Sequence, residues 1–159
     1  MADRIATQAT VITTPIGPVQ VTLREGRVVD VAFGKGRAGA GRDTDTTLSR
    51  ARQALTRYFR DPRAKLNIPL APAGTPFQQR VWRALLRIPP GQVKSYGELA
   101  RRLGTSARAV GGACRANPIP VLIPCHRVVS MSGEGGFMGK TAGRAMNIKR
   151  WLLQHERGR

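Results

Sequence analysis

Apolar and polar positions alternate with a period of two near the start of the chain. Val19, Val21 and Leu23 stand at every second residue, as do Val29, Val31 and Phe33, and Ala9–Thr14 is rich in β-branched side chains. That period marks strands with one buried face. Pro15-Ile16-Gly17-Pro18 and Glu25-Gly26 supply the turns, so the pattern predicts a small antiparallel meander. Four glycines in Gly34–Arg42 predict a mobile loop. The period then changes: Leu48, Ala51, Leu55, Tyr58 and Phe59 share one stripe of a helix that Asp61-Pro62 ends. Leu66–Leu70 reads as one more strand and Ala71–Gly74 as a linker.

Beyond the linker the helical period takes over. Thr75-Pro76-Phe77-Gln78 offers an N-cap Thr, Pro at the first helical position and Gln at the third. Phe77, Val81, Trp82, Leu85 and Leu86 form the buried stripe of that helix, which stops before Pro89-Pro90-Gly91. Ser95 and Glu98 make a second capping box, opening a short helix through Leu103 that Gly104 closes. Ser106 caps a third helix running to about Ala116. Helix, glycine turn and helix in succession form the helix-turn-helix pattern. The expected fold class is α+β: a small N-terminal antiparallel sheet with one helix over residues 1–70, a linker at 71–74, and a mainly helical domain over 75–159.

That third helix is almost free of bulk, with Ala107, Ala109, Gly111, Gly112, Ala113 and Ala116. Each interior glycine costs a helix about 1 kcal/mol relative to alanine. Either a neighbouring helix packs tightly there, or another molecule approaches the backbone. Arg108 and Arg115 at its two ends favour a helix that faces nucleic acid.

Charge strengthens this picture. The 159 residues hold 27 Lys and Arg against 9 Asp and Glu, a formal net charge of +18. Residues 1–74 hold 12 against 6 and residues 75–159 hold 15 against 3, so the excess is concentrated in the helical half. A polyanion is the implied partner. Hydrophobic residues at 41% argue against wholesale disorder, and no run of about 18 apolar residues offers a membrane span. Met1-Ala2-Asp3-Arg4 leads into polar residues, unlike a secretory signal. Two cysteines and two histidines are too few for a disulfide scaffold, and a four-ligand structural zinc would need all of them. A cytoplasmic chain with no metal and no cofactor is expected.

The candidate chemistry lies after the apolar run Val121-Leu122-Ile123, read as a buried strand ending in a turn fixed by Pro124. That turn delivers Cys125, followed by the basic pair His126-Arg127. Neighbouring positive or proton-accepting groups raise a thiol's thiolate fraction, which makes cysteine beside histidine a nucleophile-and-base candidate. The competing reading is an inert buried cysteine beside a surface histidine. Cys114, in mid-helix among Ala and Gly, reads as packing material. A third partner comes from helix phase. In a last helix over roughly Arg144–His155, Ala145, Ile148 and Leu152 stand at offsets 0, 3 and 7, and Glu156 at offset 11 continues that apolar stripe. A carboxylate aimed at the core needs a partner, and His126 fits; a frayed surface position near the chain end is the alternative.

Gly74–Glu156 resembles the C-terminal domain of the O6-alkylguanine-DNA alkyltransferase family. The resemblance is carried by Ile123-Pro124-Cys125-His126-Arg127-Val128, with Phe77–Trp82, Ser95–Ala100, Ala107–Ala113 and Asn117-Pro118 in family order. Thr14–Pro18 is similar to the start of the family's N-terminal domain, which implies a ribonuclease-H-like fold there. The resemblance implies direct-reversal DNA repair. The protein would bind the minor groove of double-stranded DNA, flip out O6-alkylguanine, and move the alkyl group to Cys125 in a single turnover. O4-alkylthymine is a further implied substrate. His126 matches the base acting through a water, Glu156 the acid that orients it, Asn117 the brace of the turn, and Tyr96 the group that meets the leaving guanine. Arg108 matches the residue that fills the vacated space in the duplex. Ser95, Ala107, Gly111, Gly112 and Arg115 are the accompanying DNA-binding positions, and Tyr96, Val128, Phe137, Met138 and Gly139 the implied pocket. A monomer is expected, with cooperative assembly on DNA left open. Two departures stand out: the loop Ser132–Arg144 is longer than the family's and lacks its tyrosine, and residues 1–74 carry none of the zinc ligands of some relatives. A DNA-binding module without catalysis and a cysteine hydrolase using Cys125, His126 and Glu156 are the rival readings.

Overall fold

The computed structural model describes residues 7–34, 46–131, 133 and 135–158. The chain divides into two compact units, Met1–Ala73 and Gly74–Arg159. The glycine-rich segment expected to be a loop lies largely outside the described residues.

The first unit is an antiparallel sheet in the order β1 (Thr7–Thr14), β2 (Gly17–Arg24), β3 (Arg27–Phe33), covered by helix α1 (Thr46–Arg60). Glu25 and Gly26 both take positive φ, 52° and 76°, as a two-residue hairpin turn with primed geometry requires. Val19, Val21 and Leu23 point into the core as their alternation predicts, against Leu48, Ala51, Ala54, Leu55 and Tyr58. In β3 the inward residues are Val28 and Val31, whereas Val29 and Phe33 are only half-buried. For Val29 the cause is a bulge: Thr22 pairs with Asp30 but Leu23 with Val28, so Val29 is an extra residue, while Phe33 keeps the face of Val31 at the end of the strand. The strand expected at Leu66–Leu70 reduces to a single bridge between Leu70 and Val28. Pro69 has no N–H to give a ladder, and the Ile68 N–H turns back onto the Leu66 carbonyl.

The second unit opens with α2 (Pro76–Leu85), capped reciprocally by Thr75 and Gln78. Val81, Trp82 and Leu85 are buried, but Leu86 is 49% exposed because the helix ends one residue before it. The Trp82 indole N–H donates to the Ala113 carbonyl at 2.9 Å, fixing α2 against the later helix α4. A two-residue strand β4 (Lys94–Ser95) leads through the Ser95–Glu98 capping box into α3 (Tyr96–Leu103). Gly104 closes α3 at φ 69°, and Ser106 caps α4 (Ala107–Arg115). Residues 121–123 are buried as expected but form no strand. Val121 has φ 75°, and the Ile123 N–H donates back to the Ile119 carbonyl. Prolines at 118, 120 and 124 leave no N–H at those positions, and the stretch makes only the isolated bridge between Pro120 and Ile123. A 3-10 turn over Cys125–Arg127 follows, and β5 (Val128–Val129) pairs in parallel with β4. Helix α5 (Arg144–Arg157) closes the unit, burying Met146 rather than Ala145 beside Ile148, Leu152 and Glu156. No helix among the described residues is long and apolar enough to cross a membrane.

Candidate active site

Cys125 opens the 3-10 turn and is buried, its N–H donating to the Ile123 carbonyl at 2.8 Å. Asn117 holds the loop before it from both ends. Its Nδ2 donates to the Ile123 carbonyl at 2.9 Å, and its Oδ1 accepts from the Ile119 N–H at 2.9 Å. Burial pushes the Cys125 thiol up, while the Asn117 amide and the Lys149 ammonium pull it partly back. The balance leaves a neutral thiol near pH 7, so nucleophilic attack needs a proton acceptor.

A candidate acceptor is next in the chain. His126 has no exposed surface, which removes the surface-histidine alternative. Its Nε2 lies 2.7 Å from Glu156 Oε2. A carboxylate only accepts, so Nε2 carries the proton and Nδ1 keeps its lone pair. Nδ1 is buried and makes no hydrogen bond to the protein. Burial lowers the His126 pKa, with the Glu156 carboxylate opposing, so the imidazole is neutral at physiological pH.

Glu156 is 1% exposed and therefore not frayed. Arg127 grips it with a fork, Nε to Oε1 and Nη2 to Oε2, both at 2.8 Å, and its Nη1 donates to the Ile88 carbonyl at 2.6 Å. Burial alone would raise the Glu156 pKa; the bonds from Arg127 and His126 outweigh it and hold the group at about 2. Lys149 is also fully buried, donating to the Val128 carbonyl at 2.7 Å and the Gly136 carbonyl at 2.8 Å.

In front of Cys125 lies a cavity of about 640 Å³. Tyr96, Cys114 and Cys125 line it together with Phe137, Met138 and Gly139. Ala107, Arg108, Gly111, Gly112 and Arg115 bring one face of α4 to it. A Cβ on Gly112 would meet nothing within 4 Å, and one on Gly111 only the Tyr96 ring at 4.0 Å. Tight helix packing is therefore not why positions 111 and 112 are glycine; both face open space, whereas Ala113 is buried against Trp82. The Tyr96 hydroxyl donates weakly to the Gly136 carbonyl at 3.5 Å, and burial raises its pKa to about 12, so it remains a proton donor. Two expected positions sit elsewhere. Val128 is buried behind the cavity and pairs with Lys94, and Ser95 is occupied capping α3.

Sequence reasoning missed three contributors. Lys149 follows the stripe that revealed Glu156, four residues after Ala145 and three before Leu152, so phase alone could have found it. Arg127 gave no such signal, because a 3-10 turn has no long period to show which residue points inward. Cys114 lines the same cavity as Cys125, with burial raising its thiol to about 12.

Residues 76–158 match the family model described as 6-O-methylguanine DNA methyltransferase, DNA binding domain. The constitutive methylated-DNA–protein-cysteine methyltransferase of Bacillus subtilis is 43% identical over 112 residues, 69% of this chain and 66% of that protein, just under two thirds of its length. The methylated-DNA–protein-cysteine methyltransferase of Shigella flexneri is 37% identical over 91% of this chain and 92% of its own. The crystal structure of Mycobacterium tuberculosis O6-methylguanine methyltransferase is similar at TM-score 0.80 and 34% identity, covering 97% and 94% of the two chains. A structure of the M. tuberculosis relative in complex with DNA gives 0.76 at 36%, covering 94% and 92%.

Proposed function

Since the chain belongs to the O6-methylguanine-DNA methyltransferase family, whose activity is methyl transfer from DNA to a protein cysteine, we propose that Cys125 is the acceptor and that the buried set behind it drives the transfer. The observation that carries this reading is the His126 ring, one residue after Cys125, with Nε2 committed to Glu156 and the buried Nδ1 lone pair left without a hydrogen bond. His126 takes the Cys125 proton through a water, and the sulfur attacks the saturated carbon on O6. The C–O bond breaks toward guanine, which accepts a proton from the Tyr96 hydroxyl as it leaves. Asn117 is a positioning residue that holds the loop carrying Cys125. The product is a thioether; it has no carbonyl for water to attack, so each molecule acts once.

DNA is gripped by the α3–turn–α4 segment acting as a helix-turn-helix in the minor groove. Its open glycine face lets backbone approach the duplex, and Arg115, Ala107 and the Ser95 end of α3 lie alongside. Arg108 enters the duplex as the damaged base rotates into the cavity. Flipping costs a few kcal/mol and is cheapest for a weakly paired base, which favours O6-alkylguanine and admits O4-alkylthymine. The N-terminal unit is read as the family's ribonuclease-H-like domain.

Incubating the protein with duplex containing O6-methylguanine, then measuring intact and peptide mass, tests the reading. One added methyl on Cys125, none in Cys125→Ser and retained transfer in Cys114→Ser are expected. Transfer that survives Cys125→Ser refutes it.

A further inference from the structure

The first unit carries a groove of its own, of about 570 Å³, between α1 and the segment that follows it. Arg50, Gln53 and Arg57 form one wall; they stand at helix offsets 0, 3 and 7, on the exposed side of α1. Lys65 and Asn67 form the other. The apolar lining is small, the buried Ala54 and the half-buried Ala64. No carboxylate lines the groove among the described residues. From Thr46 to Leu70 the chain holds six Lys and Arg and one acid, Asp61, whose Oδ1 accepts from the Arg63 N–H at 3.0 Å.

Backbone bonds set both walls. α1 is seated on the sheet by Leu48, Ala51, Leu55 and Tyr58. The Ala64 N–H donates to the Asp61 carbonyl at 3.0 Å, closing the turn that leaves the helix. Beyond Asn67, Ile68 is buried and Val28 holds the chain on either side of Leu70. The Val28 N–H donates to the Pro69 carbonyl at 2.9 Å, and its carbonyl accepts from the Ala71 N–H at 2.8 Å.

The spacing of the cations points to their partner. Arg50 and Arg57 are separated by a rise of about 10 Å along the helix. Cations spread over that distance suit a row of phosphates better than a single one, and a nucleic-acid strand carries a charge about every 3.4 Å of its axis. Phosphate contacts need only donors, which Arg, Lys, Gln and Asn supply. A protein partner would call for an aromatic or large apolar anchor, and none lines the groove among the described residues. We propose that this groove holds the phosphate backbone of nucleic acid, as a contact separate from the helix-turn-helix and indifferent to damage. It stands whether or not Cys125 is the acceptor.

The test is the salt dependence of binding by the full chain to an undamaged duplex. Each phosphate contact contributes about 0.9 to the slope of log affinity against log salt. Arg50→Gln with Arg57→Gln should make that slope shallower by about 2, and Lys65→Gln alone by about 1. Arg50→Lys with Arg57→Lys should keep it. Arg24→Gln with Arg27→Gln removes the same charge from the β2–β3 turn and should leave the slope unchanged. All these side chains are exposed, so the unfolding midpoint should hold throughout. An unchanged slope in the Arg50 and Arg57 glutamine pair overturns the proposal. Equal flattening by the two glutamine pairs also overturns it, by assigning the effect to net charge. Inorganic phosphate, at equal ionic strength, should displace the duplex no better than chloride. Stronger displacement that vanishes in the Arg50 and Arg57 glutamine pair would make the groove a single-anion pocket, and the backbone contact would be refuted.

Discussion

Behind Cys125 and in front of it, the same unit puts charge to opposite uses. Behind it, Arg127, Lys149 and Glu156 are buried, and each is bonded to a named partner around the neutral His126. In front, Arg108, Arg115 and Lys140 are exposed at the cavity. Buried charges are costly to strand and so enforce geometry, whereas exposed ones act at a distance and are screened. The two cysteines sharpen the contrast. Cys114 and Cys125 line one cavity and burial raises both thiols, so burial does not distinguish them. What distinguishes them is the backing: Asn117, His126 and Glu156 stand behind one alone.

The inner region is where a single change should cost most. Glu156→Gln leaves the Arg127 fork and the His126 N–H facing a neutral amide. Removing one partner of a buried ion pair typically costs about 3–5 kcal/mol, so a loss near 3 kcal/mol is expected by denaturant unfolding. Slower transfer should accompany it. Adding Arg127→Met to the variant should recover part of the stability but none of the rate. Wild-type stability in Glu156→Gln would mean that the inner charges are not coupled, and the contrast would collapse.

How much of this was legible in the sequence depends on periodicity. Helix caps at Thr75, Ser95 and Ser106 are local chemistry, and the structure puts them where the sequence did. Glu156 was legible because a fourteen-residue helix has a phase that extends to its end. Arg127 was not, because a three-residue turn has none. Val29 was misread inward because a bulge adds one residue, and strict alternation cannot register that. The strand expected before Cys125 failed for a related reason: apolar character was counted, but the prolines that deny a ladder its donors were not. The cavity itself joins residues from α3, α4 and the loop before α5, which only tertiary packing brings together.

At the outer region the expected loss is smaller and selective. Arg108→Ala should slow transfer from duplex about tenfold, since the energy of base rotation amounts to a few kcal/mol and one side chain supplies part of it. Transfer from a free guanine analogue needs no rotation and should change little. Stability should stay within about 0.5 kcal/mol, as for other surface substitutions. Equal slowing on both substrates would assign Arg108 to the shape of the cavity instead.

The smallest expected effect is an absence of change with pH, and it tests the inner region without a mutation. An ordinary histidine base would be half protonated near pH 6.5, and transfer would fall by half there. In the folded protein burial holds the His126 pKa below that value, against the pull of Glu156 and with Arg127 and Lys149 assisting. The transfer rate should therefore stay level from pH 8 through pH 6.5. Stability behaves differently over the same range. His126 and Glu156 both titrate lower in the folded chain than in the unfolded one, so the unfolded chain binds more protons as the pH drops. The His126 contribution is complete above pH 6.5 and begins to fall below it. The Glu156 contribution is complete above about pH 4.5 and is lost as the pH approaches 2. A flat rate above a declining stability is the signature of a base kept neutral by burial. A rate that halves near pH 6.5 would show instead that water reaches His126 freely, and that the inner charges work much as the outer ones do.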